Sequence, residues 1–114
     1  MALQITLKGN PKSTNNIYRF AGHRMYMTSK GKTLKEDYQW QLKSQYKGKP
    51  LTKELDLRIE LFFGDKRIRD IDNYNKLVLD ACSKILWEDD VQIMSLLLVK
   101  NYDKKNPRIE MIVD

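Results

Sequence analysis

Residues Leu55–Phe63, LDLRIELFF, carry the clearest structural signal in the sequence. Apolar side chains occupy every second position and alternate with Asp56, Arg58 and Glu60. Alternation with a period of two is typical of a strand that buries one face. Gly64 follows directly, so the pattern predicts a β-strand that ends at Phe63.

Three further segments have strand patterns. Residues 2–8 alternate with the same period, which predicts a first strand at the start of the chain. Residues 91–100 form a short apolar run, and we expect this strand to be buried on both faces at the centre of a sheet. A turn at 104–107 leads into a closing strand in which Ile109, Met111 and Val113 share one face.

Helical patterns separate these strands. Thr28 and Ser29 are suitable N-cap residues for a helix that runs to about Tyr46. The spacing predicts a second helix from about Ile71 to Leu86. Its apolar stripe is expected to face the core and consists of Tyr74, Leu77, Val78, Ala81 and Ile85.

The order of these segments predicts the fold class. Residues 9–19 are rich in Gly, Asn, Pro and Ser and predict an ordered loop between the first strand and the first helix. The chain of 114 residues has the size of one domain and no linker-like stretch. We therefore expect a single α/β (α+β) domain over residues 1–114, with a mixed four-stranded sheet and two main helices.

The composition indicates the kind of partner and the cellular compartment. The formal net charge is +6 and the pI is near 9.4, which favours a polyanionic partner such as nucleic acid. A single cysteine, Cys82, has no partner for an internal disulfide and fits a reducing compartment. The sequence has neither a membrane-length apolar run nor a signal-peptide pattern, so we expect a protein of the cytoplasm with no membrane partner.

Residues 66–80, KRIRDIDNYNKLVLD, contain a dense cluster of basic and acidic side chains. Asp70 lies just before the predicted second helix and Asp72 at its start, where two carboxylates can share a cation. On an ideal helix, Lys76 and Asp80 lie about 40° and about 80° from Asp72, so the three share a face that points away from the core stripe. We expect Lys76 to hold a phosphate or stabilise its transition state.

A third carboxylate is available from the acidic run Glu88, Asp89, Asp90, which precedes the next strand. Oxygen ligands without nearby His or Cys predict Mg²⁺, or Mn²⁺ as a substitute. Basic residues stand directly before the first acids and are candidate phosphate contacts; they are Lys66, Arg67 and Arg69.

An alternative explanation of the same residues has no metal. Asp70 and Asp72 are also good helix caps, and Lys76 has acids four residues away on both sides with which it can pair. Short acidic motifs are common in proteins without a metal site. This alternative predicts a non-catalytic basic module that binds nucleic acid.

Beyond these patterns, residues 69–93, RDIDNYNKLVLDACSKILWEDDVQI, resemble the RusA-type Holliday-junction resolvases. The shared features are a DxDN aspartate pair, a following lysine and aspartate, and a later aspartate pair after an aromatic residue. The resemblance implies that Asp70, Asp72 and Asp90 are the metal-binding catalytic carboxylates. It also implies that Lys76 is an essential lysine.

Residues 13–19, STNNIYR, resemble the Ser/Asn/Asn/Tyr loop of the same family, which makes Asn15 and Asn16 candidate DNA contacts. The family resemblance implies an endodeoxyribonuclease that resolves four-way DNA junctions in recombination and repair by Mg²⁺-dependent hydrolysis with paired symmetric nicks. It also implies a homodimer, whose two-fold symmetry would match that of the junction.

Overall fold

The computed structural model describes residues 2–114, apart from the side chain of Asn16. Within this range the chain forms six strands and two α-helices. The strands are β1 (Leu3–Lys8), β2 (Tyr18–Ala21), β3 (Arg24–Met27), β4 (Leu55–Phe63), β5 (Ile93–Tyr102) and β6 (Arg108–Val113). The helices are α1 (Ser29–Gln45) and α2 (Lys76–Cys82), and three short 3₁₀ turns lie at Thr14–Asn16, Ile71–Asn73 and Asp90–Gln92.

Four strands form the main sheet, in the order β1-β6-β4-β5. The β4–β5 pair is parallel, and β6 pairs antiparallel with both β1 and β4. A parallel pair needs a crossover between its strands, and α2 lies in that connection. The predicted mixed four-stranded sheet with two main helices is therefore confirmed, and β4 has the predicted ends.

The prediction for β5 was wrong in its position. This strand lies at an edge of the sheet, and its Met94 and Leu97 side chains are 63% and 51% exposed. An apolar run does not reveal which strands flank it, and here the central places belong to β4 and β6. The short turn from β5 to β6 does not make a hairpin, because β4 lies between them.

The first helix forms as predicted, with the Thr28 hydroxyl accepting a hydrogen bond from the Gly31 amide at 3.1 Å. The second helix is much shorter than predicted. Its expected first turn is the 3₁₀ turn Ile71–Asn73, and the chain leaves the helix after Cys82 because Lys84 adopts a left-handed backbone with φ 75°. Asparagine is a weak helix former, and Asn73 and Asn75 separate the two pieces.

The core lies between one face of the sheet and the two helices. It includes the alternating apolar residues of β4 and four members of the stripe predicted for the second helix: Tyr74, Leu77, Val78 and Ala81. Ile85 is partly buried against the same cluster, and Cys82 is a buried free thiol. Among residues 2–114 there is no helix with the length and apolarity to cross a bilayer.

Strands β2 and β3 form a separate two-stranded sheet that the sequence patterns did not predict. Gly22 occupies the first position of its two-residue turn with φ 64°, the placement that type II′ hairpins favour. The loop predicted over residues 9–19 contains the 3₁₀ turn Thr14–Asn16. It is shorter than predicted, because β2 begins at Tyr18.

Candidate active site

The exposed side of α2 carries a charged pair. The Lys76 ammonium lies 3.4 Å from the Asp80 carboxylate, one helical turn away, and 5.0 Å from the centre of the Tyr18 ring. The Tyr18 hydroxyl donates a hydrogen bond to the same Asp80 oxygen. Burial and this bond raise the pKa of Tyr18 well above its ordinary value of 10.0, so the phenol keeps its proton and remains a donor. Asp80 thus holds both Tyr18 and Lys76.

A cleft of about 410 Å³ opens beside this pair. It brings together three of the four predicted catalytic residues, Asp72, Lys76 and Asp90. The other lining residues are Thr14, Asn73, Asn75, Leu79 and Asp80. The Thr14 hydroxyl donates to the Asn73 carbonyl at 2.7 Å, so the N-terminal loop is fixed to the segment that carries Asp72.

Contrary to expectation, Asp72 does not lie on the same α-helix as Lys76 and Asp80, because α2 begins only at Lys76. Asp72 reaches the cleft from the 3₁₀ turn, whereas Asp70 precedes that turn and is not among the lining residues. Asp70 makes no side-chain capping bond. Within the described residues neither carboxylate accepts a hydrogen bond, so the capping alternative does not account for them. That alternative is right about the ion pair of Lys76 with Asp80.

Asp90 enters the cleft from the other side of the crossover, at the 3₁₀ turn before β5. The indole of the buried Trp87 donates to one of its oxygens at 2.7 Å. The neighbouring Asp89 has a different role: its carboxylate accepts from the Val91 amide at 3.0 Å and forms a capping box with Gln92. Of the two adjacent aspartates, only Asp90 therefore faces the cleft.

The donor set of the cleft is suited to a hard cation, since it offers the carboxylates of Asp72 and Asp90 and amide oxygens of Asn73 and Asn75. No three His, Cys, Asp or Glu residues converge closely enough to hold a metal in the part of the chain that the structure describes. Convergence of Asp70 with the other two acids therefore remains a prediction.

The basic segment before the acids divides into two kinds of residue. Lys66 and Arg67 are exposed. Arg69 has a side chain only 11% exposed; it stacks on Phe63 at 4.3 Å and donates to the Asp65 carboxylate at 2.7 Å. A backbone hydrogen bond from Arg67 and the side-chain bond from Arg69 lower the pKa of Asp65. Arg69 thus anchors the loop, and its contact with phosphate stays a prediction.

The N-terminal loop adjoins the same cleft. Asn15 is exposed, and its carbonyl accepts a hydrogen bond from the Arg19 guanidinium at 2.8 Å. The side chain of Asn16, the other predicted DNA contact of this loop, lies outside the described residues.

Several participants escaped the sequence patterns because their partners are distant in the chain. Tyr18 and Asp80 are 62 positions apart, and no local pattern links them. The Lys100 ammonium of β5 donates to the Arg69 carbonyl at 2.7 Å and holds the basic loop against the sheet. The only sequence signal for Tyr18 is its place in the STNNIYR segment, residues 13–19.

Comparison with known proteins finds similar sequences over most of the chain. A family model described as Endodeoxyribonuclease RusA matches residues 6–114. The chain is 30% identical over 104 residues to the "Crossover junction endodeoxyribonuclease RusA" of Escherichia coli (strain K12), covering 90% of this chain and 87% of the relative. The protein of the same name from Enterobacteria phage 82 is also 30% identical over 104 residues, with the same coverage. A third relative, from Escherichia coli O139:H28, is 27% identical over that length.

Proposed function

Because this chain belongs to the RusA family of endodeoxyribonucleases, we propose that it is a crossover junction endodeoxyribonuclease that resolves four-way DNA junctions in recombination and repair. The observation that carries the proposal is the single cleft shared by Asp72, Lys76 and Asp90. Folding unites residues 18 positions apart in a site that combines carboxylates with a cation. Phosphodiester hydrolysis needs both kinds of charge.

The carboxylates of Asp70, Asp72 and Asp90 are the proposed ligands for Mg²⁺, with Mn²⁺ as a substitute. Bound there, a divalent ion would neutralise the charge of the phosphate and favour deprotonation of water near neutral pH. Trp87 orients one oxygen of Asp90 and leaves the other available to a ligand. Asp70 and Asp72 sit two residues apart with no competing partner among the described residues, so their charges are available as well.

Lys76 is the proposed phosphate contact in the cleft. Its side chain is 41% exposed while Asp80 and the Tyr18 ring restrict its position. An ammonium held in this way places positive charge where charge develops on the phosphate oxygens, and it does not compete for the metal. Asp80 and Tyr18 act in this scheme as positioning residues.

The DNA is proposed to approach over the exposed Lys66 and Arg67 and over the N-terminal loop with Asn15 and Asn16. Arg69 contributes by fixing the basic loop through Asp65, and its own contact with phosphate is secondary. Contacts of this kind bind the backbone without sequence preference. Since the substrate is recombining DNA, we also propose that the protein acts in the cytoplasm.

The active unit is proposed to be a homodimer, since paired symmetric nicks need two sites related by the two-fold symmetry of a junction. The outer edge of β5 is a suitable contact between copies. This edge runs along the ten residues of β5, which carry one charge, on Lys100. Met94 and Leu97 of the same strand are exposed. The opposite edge, on β1, is covered instead: Gln45 bonds both the amide and the carbonyl of Thr6, at 2.8 and 2.7 Å. Uncovered apolar edges favour pairing.

The test is cleavage of a labelled synthetic four-way junction with and without Mg²⁺. Wild-type protein should give paired nicks at symmetric positions only with the metal. Asp70→Asn and Asp72→Asn should abolish cleavage but keep metal-free junction binding, since the changes remove negative charge near DNA. Asp37→Asn, on the exposed side of α1, is the matched control and should cleave normally. Binding by the wild type without cleavage would instead support a non-catalytic module.

A further inference from the structure

The positive charge of this protein is concentrated in its N-terminal third. Residues 1–35 contain seven Lys or Arg and no Asp or Glu, a net charge of +7. Residues 36–114 contain 14 basic and 15 acidic residues, a net charge of −1. The part of the chain that holds the carboxylates is thus close to neutral, and the attraction for a polyanion comes mainly from the segment that includes β2 and β3.

The β2–β3 hairpin exposes three large apolar or aromatic side chains on two short strands. Phe20, Met25 and Tyr26 are 74%, 45% and 51% exposed. In the strand register Phe20 lies opposite Met25, while Arg19 lies opposite Tyr26 and Ala21 opposite Arg24. Cross-strand partners share a face of the hairpin. One face is therefore apolar, and the other carries two arginines.

The apolar face of the hairpin begins next to the cleft. Side chains two positions apart on a strand lie on the same face, so Phe20 follows Tyr18, whose side chain reaches Asp80 and Lys76. Tyr18 and its partner Met27 are partly buried at the base, whereas Phe20 and Met25 are exposed toward the turn. The hairpin thus carries an exposed aromatic ring on the same face as Tyr18, which contacts the cleft residues Lys76 and Asp80.

The base of the hairpin is firmly attached, although isolated two-stranded hairpins are marginally stable. The Thr28 amide donates to the Ile17 carbonyl at 2.7 Å. Gly31 of α1 packs so closely that an added Cβ would lie 2.4 Å from the Ile17 side chain and 2.8 Å from that of Met27. The hairpin is therefore fixed at its base and exposes apolar side chains at its tip, which suits it to contact a partner.

We propose that the β2–β3 hairpin is a second DNA-binding element, in which Phe20 stacks on an unpaired base near the branch point and Arg24 contacts a backbone phosphate. The inference rests on the proposed function, since it takes the junction as substrate. Proteins bind unstacked bases by stacking them on exposed aromatic rings, and the arginines on the other face of the same hairpin supply the positive charge for the backbone. A second copy of this chain is a poor occupant of the same face, because two segments of the same charge sign would repel each other.

The experiment compares Phe20→Ala and Arg24→Gln with wild-type protein in EDTA, so that binding is measured without cleavage. The ligands are a labelled four-way junction and a linear duplex of the same arm sequence, each over a salt series. Phe20→Ala should weaken junction binding on the order of tenfold and duplex binding much less, because only the junction offers unstacked bases. Arg24→Gln should weaken both and lower the salt slope by about 1.

Trp40→Ala and Lys43→Gln are the matched controls, since both residues line a surface depression with Glu36 on the outer side of α1. They should bind as wild type. As a second readout, 2-aminopurine at the branch point should change fluorescence on binding wild-type protein and less on binding Phe20→Ala. Melting temperatures should stay unchanged, since both Phe20 and Arg24 are exposed.

Equal junction affinity of Phe20→Ala and wild type, or an equal loss on junction and duplex, would overturn the stacking proposal. A shift of Phe20→Ala or Arg24→Gln to a different oligomeric state in sedimentation would overturn it as well, in favour of a contact between copies. These failures are distinguishable from failure of the proposed function, which is decided by whether wild-type protein cleaves the junction with Mg²⁺.

Discussion

Replacing Tyr18 with Phe removes one hydroxyl and tests whether Asp80 positions Lys76. The lost hydrogen bond runs to a carboxylate that is 26% exposed and keeps its 3.4 Å contact with Lys76. Bonds to charged groups contribute about 1.5–3 kcal/mol, and partial exposure places this one at the lower end. We therefore expect the free energy of unfolding to fall by about 1–2 kcal/mol, and the melting temperature by about 4–8 °C.

The catalytic effect should be separable from this loss of stability. With Asp80 held by Lys76 alone, the ammonium samples positions away from the phosphate, and we expect the single-turnover cleavage rate to fall about tenfold, or ~1.4 kcal/mol. Junction affinity in EDTA should stay the same. The cleavage rates of the wild type and of Tyr18→Phe are measured with excess enzyme, at a temperature well below the melting transition of the variant.

Tyr46→Phe is the matched control, because its hydroxyl also makes one hydrogen bond, to the Lys49 carbonyl, and Tyr46 is not part of the cleft. It should lose about 0.5–1.5 kcal/mol of stability, because its partner is a neutral carbonyl, with no change in cleavage. If Tyr18→Phe cleaves at the wild-type rate, or if Tyr46→Phe slows cleavage equally, Tyr18 and Asp80 do not position the lysine.

Three further predictions concern the parts of the fold around the site. The pKa of Asp65 is lowered from 3.8 in the folded protein, so its stabilising contacts are present above that value and lost as the pH falls through the lower folded pKa; Asp65→Asn should flatten the fall in melting temperature below about pH 4, and an unchanged acid profile would contradict this. Gln45→Ala uncovers the β1 edge and should cost about 1–2 kcal/mol of unfolding free energy and promote aggregation in light scattering, whereas Gln39→Ala should do neither. Leu97→Lys places a charge on exposed β5 and should shift sedimentation from dimer to monomer at unchanged far-UV circular dichroism; a persisting dimer would exclude this edge as the interface.

Features of the fold that depend on local sequence were predicted correctly. Features that depend on residues distant in the chain were not. The alternation of LDLRIELFF placed both ends of β4, and Thr28 placed the start of α1. The apolar run of β5 is equally compatible with a centre or an edge, because the identity of its neighbours depends on the crossover. The hairpin was missed because YRFA and RMYM are too short to show a period of two.

The candidate site shows the same division. An i,i+4 spacing is a local property, so the Lys76–Asp80 pair could be predicted, although the helix it stands on is only seven residues long. The position of Asp72 was derived from a continuous helix that Asn73 and Asn75 interrupt, yet its carboxylate still lines the cleft. Tyr18, Trp87 and Lys100 could not be predicted, since each acts on a partner that only the folded chain brings near.

The most direct measurement is Mg²⁺-dependent cleavage of a four-way junction by Asp90→Asn beside Asp89→Asn. Asparagine keeps an oxygen that can accept from Trp87 in the first variant, and it preserves the capping bond in the second. We predict that Asp90→Asn binds the junction but leaves it intact, while Asp89→Asn makes paired nicks at close to the wild-type rate. Cleavage by Asp90→Asn at the wild-type rate would contradict the assignment of this cleft as the site of hydrolysis.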